Sequence, residues 1–473
     1  MKDEKPCAIA ESSYDLITQR HREKLAVKQC QKPYNRSKIL VFLELMMLKQ
    51  LILENWKSFR YAELPLDPLT VLIGTNASGK SNVVEALEFL QRIAKGENIE
   101  AALAGDKTLT SIRGGVEWAV RKSENKESEF TLKILVQGED EQTDYLYLIN
   151  ISTLQIVQVR EEYIEFKSLS ETHISNYVKK IFMKSYIPSS RSGLKQIDSR
   201  IDIHEFQQFN NFLNKNEIIP VLEIKSEEVE KRYNKYLPIR QQFKDCIIHN
   251  LENILIFNPI PSKMRDYSRL SENLESDGSN IAGVIAALDS EQKTKVELTL
   301  SSYIKDLPEG DIKKVFAEPV GRLKTDAMLY CEEEWKPGEI TLIDAKTMSD
   351  GTLRFIAILT ALLTRPEGSQ LVIEEIDNAL HPSRAELLVR ILREIGSKRK
   401  IDILLTTHNP ALLDALGPEI VPFVVVAHRD SETGESKLTL LEDIENLPLL
   451  LASGTLGRLA TKGAIEKSLS DKK

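Results

Sequence analysis

Two hydrophobic periods alternate along the chain. Leu48 to Leu53 and Leu69 to Ile73 are short apolar runs punctuated by Pro65 and Pro68, a pattern that predicts two strands. Residues 81–95, SNVVEALEFLQRIAK, change to a helical period and place Val84, Leu87, Leu90 and Ile93 on one face. Between residues 116 and 166 the runs FTLKILVQ, DYLYLINIS and VQVREEYIEF alternate and predict antiparallel strands. From 170 to about 255 the spacing turns helical and charged. The stretch EVEKRYNKYLPIRQQFKDCIIHNLENIL is amphipathic, is broken near Pro238, and holds no heptad seam that would build a long coiled coil. Residues 275–305 read as helical behind an Asp-Gly turn, 339–345 as a strand, and helices and strands alternate from 349 to about 428.

Strand–loop–helix units at both ends predict an α/β fold whose N- and C-terminal parts together close a mainly parallel core sheet. An antiparallel β subregion and a mostly helical insertion complete the expectation. The expected divisions are an N-terminal extension (1–46), the N-terminal half of the core (47–168), a mainly helical insertion or arm (169–338), the C-terminal half of the core (339–430) and a tail (431–473) offering a contact to a partner.

Composition narrows the function classes. The 473 residues are 42% hydrophobic and 28% charged, ordinary values for a globular chain with a sizeable core. A net charge of −8 argues against a uniformly basic nucleic-acid binder, but a local basic patch stays compatible with it. The four cysteines form no CxxC pair and no histidines cluster with them, so a zinc site is not expected. No run approaches the roughly 18 apolar residues of a membrane span, and the polar MKDEKP start is not a secretory signal. A cytoplasmic protein without a membrane partner is the expectation.

Candidate chemistry lies at the ends of the predicted core strands. Residues 74–81, GTNASGKS, fit the phosphate-loop pattern G-x-x-x-x-G-K-[ST] between the strand LTVLI and the following helix. Gly74 and Gly79 let the backbone curl so that N–H groups face phosphate oxygens. Lys80 would reach the β- and γ-phosphates of ATP, and Ser81 would ligate Mg2+. Ser349, Asp350 and Gly351 precede an amphipathic helix, as a cap and as an anion site at once. The apolar run Leu371–Ile373 leads into Glu374, Glu375 and Asp377, and Ile401–Leu405 leads into Thr406, Thr407 and His408. Ligands of open α/β sheets bind at the carboxyl ends of strands, so Lys80, Glu374, Glu375 and His408 are expected at one site.

These stretches together resemble the ABC-type ATPase heads of the SMC and RecF class. The resemblance rests on GTNASGKSN with its Asn76, Ser78 and Asn82, on LILENWKSF, SDGT, LVIEEIDNALHP and TTHNP, and it covers roughly residues 47–125 and 340–430. It implies that Gly74, Asn76, Ser78, Gly79, Lys80, Ser81 and Asn82 bind ATP. Ser81 and Glu374 would hold Mg2+, Glu375 would polarise the attacking water, and His408 would contact the γ-phosphate. Ser349, Asp350 and Gly351 would act in trans on the ATP of a second subunit, which implies a dimer or higher oligomer. The chain departs from the class in having Glu374 where Asp is common and in showing no Q-loop glutamine around TSIRGGVEW.

The stretches IFNPIPSKMRDYSRLSENLESDGSNIAGVIAAL and LLLASGTLGRLATKGAIEK further resemble the stand-alone ATPases of bacterial defence operons, most closely the PtuA family of the Septu anti-phage system. That resemblance implies a slow ATPase, using ATP partly as a regulatory ligand, that oligomerises and controls a partner nuclease of the HNH type encoded nearby, with nucleic acid as a further partner. A RecF-like DNA-repair or DNA-binding ATPase is the alternative. An OLD-family-like nuclease is a weaker one, because the segment after His408 is short for a metal-nuclease domain and holds no Asp-x-Asp. His249 and Asn250, without paired metal ligands, are expected to be structural.

Overall fold

A computed structural model describes residues 47–122, 127–138, 143–168, 184–185, 244–308, 310–378 and 381–470. The expected extension 1–46 and residues 169–183 and 186–243 of the expected helical arm lie outside these residues. In chain order the strands of the large sheet are β1 (Leu48–Trp56), β2 (Phe59–Pro65), β3 (Leu69–Ile73), β4 (Glu129–Gln137), β5 (Thr143–Ser152), β6 (Gln158–Ser168), β7 (Lys184–Ser185) and β8 (Ile254–Phe257). A smaller sheet follows, of β9 (Ser268–Arg269), β10 (Ile312–Val320), β11 (Asp326–Lys336) and β12 (Glu339–Asp344). The chain then returns to the large sheet with β13 (Gln370–Ile373), β14 (Asp402–Thr406), β15 (Val424–Arg429) and β16 (Ser436–Leu440).

The large sheet has 12 strands in the order β7-β6-β5-β4-β1-β2-β16-β15-β3-β14-β13-β8. The β15–β3–β14–β13–β8 run is parallel, while β1, β2 and β4 to β7 pair antiparallel. The expected parallel core and antiparallel subregion are thus two halves of one sheet. β3 lies inside the parallel half with C-terminal strands on both sides, as the strand–loop–helix pattern at both ends predicts.

Pleat alternation sorts the strand residues between two cores. Leu72, Val372, Leu404 and Val425 face helix α1 (Lys80–Ala94), while Val71, Ile73, Leu371, Ile373 and Leu405 face the opposite layer. That layer contains α2 (Ile281–Ala287), α3 (Ser290–Ile304), α4 (Asp350–Thr364), α5 (Ala385–Arg399) and α6 (Pro410–Leu416). α1 is seated by an aromatic group in which the Trp56 and Phe130 rings lie 4.9 Å apart and Phe89 and Phe130 lie 5.9 Å apart. The Trp56 indole N–H also donates to the Asn82 carbonyl at 2.7 Å, tying β1 to the first turn of α1.

Three expectations need correction. The region 169–338 is not mainly helical where it is described. β8 begins at the end of the stretch read as an amphipathic helix and joins the core sheet beside β13, and β10 and β11 form most of the smaller sheet. Val315, Ala317, Leu329 and Cys331 of that sheet are buried in the same core as α4, so this part of the insertion is fused to the head. The tail boundary at 431 also cuts through structure, because β16 pairs antiparallel with β15 and touches β2. Beyond it, the helices α7 (Leu447–Ser453), α8 (Leu456–Thr461) and α9 (Ala464–Ser470) fold back on the head.

Candidate nucleotide site

The phosphate loop lies between β3 and α1. Gly74 has φ 142°, and a Cβ there would stand 2.1 Å from the Ala427 carbonyl oxygen. Gly79 has φ 114°, and a Cβ would stand 2.8 Å from the Phe59 ring and 2.9 Å from Ser436 Oγ. Both positions exclude a side chain on backbone conformation and on space. Lys80 folds back over the loop, its ammonium donating to the carbonyls of Gly74 (2.6 Å) and Thr75 (3.0 Å). Burial pulls the lysine below its ordinary value, and the carboxylates of Glu375, Asp377 and Glu466 act against that fall. Asn76 is exposed on the rim, while Ser78 is buried with its hydroxyl oxygen unpartnered. Asn82 is turned away from the loop and donates to Ser58 Oγ at 2.7 Å, bracing the β1–β2 turn.

β13 delivers the carboxylates. The Ser81 hydroxyl stands beside the Glu374 carboxyl and favours its charged form. Burial nevertheless pushes the Glu374 carboxyl up, outweighing the influence of Ser81. Glu375 follows with φ 46°, an unusual left-handed conformation for a glutamate, and its side chain is exposed. The turn is held from several sides. Glu375 N donates to Thr406 Oγ1 at 2.8 Å, and Asn378 N donates to the Glu375 carbonyl at 2.8 Å. Arg354 Nη2 donates to the Glu374 (3.2 Å) and Glu375 (3.0 Å) carbonyls.

β14, paired in parallel with β3 and β13, delivers Thr407 and His408 to the same edge. Asp377 is buried, accepts from Thr407 Oγ1 at 2.6 Å, and faces His408 Nδ1 at 3.7 Å. The imidazole is 62% exposed and points outward beside a buried carboxylate. Ser349 caps α4, its Oγ accepting from Thr352 N at 3.1 Å, and it stands exposed with Asp350. Among the described residues no hydrogen bond joins Ser349, Asp350 or Gly351 to the phosphate loop of the same chain.

Sequence reading missed four contributors. Arg354 is buried and spans Pro259 O (2.9 Å) and the two glutamate carbonyls, and burial lowers its pKa. Lys57 is nearly covered and pairs with Glu85. Arg113 is 71% exposed, meets Glu85 at 3.2 Å, and its charge acts on Glu374. Glu466 of α9 adds a carboxylate whose charge acts on Lys80. Only Arg113 carried a signal, as the lone cation of TSIRGGVEW. The other three depend on chain-distant packing. Asn250 Nδ2 donates to the Cys246 carbonyl at 2.9 Å within a buried helical turn.

Residues 69–414 match the family model described as "AAA domain, putative AbiEii toxin, Type IV TA system". The chain belongs to this family. The matched span runs from β3, through the phosphate loop and both carboxylate-bearing strands, into α6. Among curated proteins none matches the sequence. Several solved SMC head structures are similar at low identity. An SMC head bound to the C-terminal winged-helix domain of ScpA has 12% identity over 83% of this chain and 97% of its own, with a TM-score of 0.46. The SMC head domain from Thermotoga maritima has 13% identity over 83% and 98%, with a TM-score of 0.38. A Pyrococcus furiosus SMC head with an extended coiled coil, bound to the C-terminal domain of ScpA, has 13% identity over 86% and 100%, with a TM-score of 0.41. Among the described residues of this AAA-domain chain, no helix is long and apolar enough to cross a membrane.

The groups present suit ATP with Mg2+. The glycine cradle admits only backbone, a buried Ser78 hydroxyl inside it lacks a partner, and a serine hydroxyl beside a carboxylate is an all-oxygen donor set. Gly74 to Ser81 would hold the phosphates, and Ser81 with Glu374 would hold the metal.

Proposed function

We propose that the chain is an ATPase that works as at least a dimer, each nucleotide lying between the phosphate loop of one subunit and the Ser349–Gly351 motif of another. The observation carrying this reading is the convergence of Lys80, Ser81, Glu374, Glu375 and the Asp377–His408 pair at the carboxyl ends of three adjacent parallel strands. The motif at the start of α4 faces outward at the same time. In the reaction, water attacks the γ-phosphorus and the bond to the β,γ-bridging oxygen breaks, giving ADP and phosphate. Glu375 accepts a hydrogen bond from the attacking water and aligns it, and His408 donates to a γ-phosphate oxygen. Lys80 leaves the Gly74 and Thr75 carbonyls to take the phosphates. Mg2+, which Ser81 and Glu374 would hold, would supply charge neutralisation to the phosphates.

The finer assignment is a PtuA-like ATPase that regulates a separate HNH-type nuclease in anti-phage defence, with nucleic acid as the ligand to be sensed. It is supported by the resemblance of residues 256–288 and 449–467 to that family. In the structure those stretches pack close to the site, 258–265 against α4 and the 455–466 segment against α6. The decisive experiment combines Mg2+-dependent turnover with ATP-dependent association. Wild-type protein should hydrolyse ATP slowly, and Glu375→Gln should abolish turnover and accumulate an ATP-bound dimer. Equal turnover in the two proteins would refute the assignment of Glu375. Robust DNA cleavage by the isolated chain would refute regulation of a separate nuclease.

A further inference from the structure

The loop that presents Ser349–Asp350–Gly351 is held by a residue distant in sequence. Three carbonyls leading into it, those of Ala345, Lys346 and Met348, accept hydrogen bonds from Arg265 Nη1 at 3.2, 2.8 and 2.8 Å. Nη2 of the same guanidinium pairs with the carboxylate of Asp350 inside the motif. Arg265 is itself anchored, because its neighbour Met264 is buried at 2% exposure in the core shared with α4.

Arg265 belongs to the segment that leaves β8. At the start of that segment the Pro259 carbonyl and the Asn258 side chain accept from Arg354, at 2.9 and 3.4 Å. Arg354 also holds the Glu374 and Glu375 carbonyls. Eight residues, 258–265, therefore touch the catalytic turn at one end and the outward-facing motif at the other. A planar guanidinium reaches acceptors on two sides at fixed angles, whereas a lysine offers a single point charge.

We propose that Arg265 is a positioning residue for the composite site, fixing the loop so that Ser349 and Gly351 meet the nucleotide held by a second copy of the chain. The proposal rests on the two-subunit reading above. It places the effect of Arg265 in trans: its loss damages the site completed by its own motif and spares the site built on its own phosphate loop.

The test is complementation between two inactive variants, Arg265→Ala and Lys80→Ala, with a fluorescent ATP analogue as the binding probe. Arg265→Ala should bind the analogue with an affinity within about twofold of wild type and lose about 10- to 100-fold in turnover, the scale of a misplaced reacting geometry. Mixing it with Lys80→Ala should restore turnover to about one quarter of wild type, since half the dimers are mixed and each carries one competent site. Arg265→Lys, which keeps the charge without the fork, should stay nearer the alanine variant than wild type. Loss of analogue binding by Arg265→Ala, or no recovery on mixing, overturns the role in trans while wild type still associates with ATP. Failure of wild type to associate with ATP overturns the two-subunit site and this role together.

Discussion

Asp402 opens β14 at the end of the sheet opposite the phosphate loop, and it is 3% exposed. Its register partner on β13 is Gln370, which is also buried, and neither amide atom of Gln370 nor Asp402 Oδ1 has a hydrogen-bond partner. Burial, with the nearby Asp67 charge, pushes the Asp402 carboxyl from the ordinary 3.8 up to about 7. The sign of the linkage follows. In the unfolded chain this carboxyl ionises near pH 4, so between about pH 4 and 7 the folded chain binds more protons and stability falls as pH rises. A shift of about three units is worth about 4 kcal/mol in full, with about 2.5 kcal/mol of it falling between pH 5 and 8. Asp402→Asn removes the charge, and its amide N–H can donate to Gln370. Urea midpoints of both proteins at pH 5 and pH 8 provide the measurement. The variant should be more stable than wild type at pH 8, and the difference should shrink towards pH 5. A gap that stays constant with pH, or a variant weaker than wild type at pH 8, would show that Asp402 does not ionise at a buried, unpaired site.

Two further predictions concern the carboxylate turn. Glu374→Asp withdraws the carboxylate by one methylene from Ser81 and should leave measurable turnover with a raised Mg2+ requirement, because Mg2+ tolerates second-shell carboxylates; a Mg2+ titration of turnover checks this, and complete inactivity would contradict it. Glu375→Gly relieves the left-handed backbone and should raise stability by about 1 kcal/mol while abolishing turnover. A lower urea midpoint for that variant would show that the turn is not strained.

Much of the site could be read in the sequence because its parts are local. GTNASGKS is contiguous, and the carboxylate and histidine turns each follow directly on an apolar strand, so pattern alone assigned them to one sheet edge. What failed was settled by distant contacts. ILIF in β8 is four apolar residues long, too short to tell a buried strand from one turn of the preceding amphipathic pattern. β10 contains Pro319, which argues against a strand unless the strand lies at an edge, and β10 is an edge. Asn82 fits the motif, yet its side chain braces Ser58, a contact that required knowing how β1 and β2 pack on α1. Arg354 and Arg265 read as ordinary charged residues, and their importance lies in carbonyls up to 96 positions away.

The position of β3 in the sheet also bears on how the protein is made. On one side it pairs with β14 and on the other with β15, both more than 300 residues later in the chain. During synthesis the strand carrying the phosphate loop emerges more than 300 residues before its two partners and waits with both edges open until they have left the ribosome. Closing so long a loop is slow, and exposed strand edges invite pairing with neighbouring chains. The nascent protein therefore passes through a long window in which it cannot form its nucleotide pocket and is most in need of a chaperone, and its yield in a cell should depend more on translation speed and chaperone supply than on the stability of the finished fold.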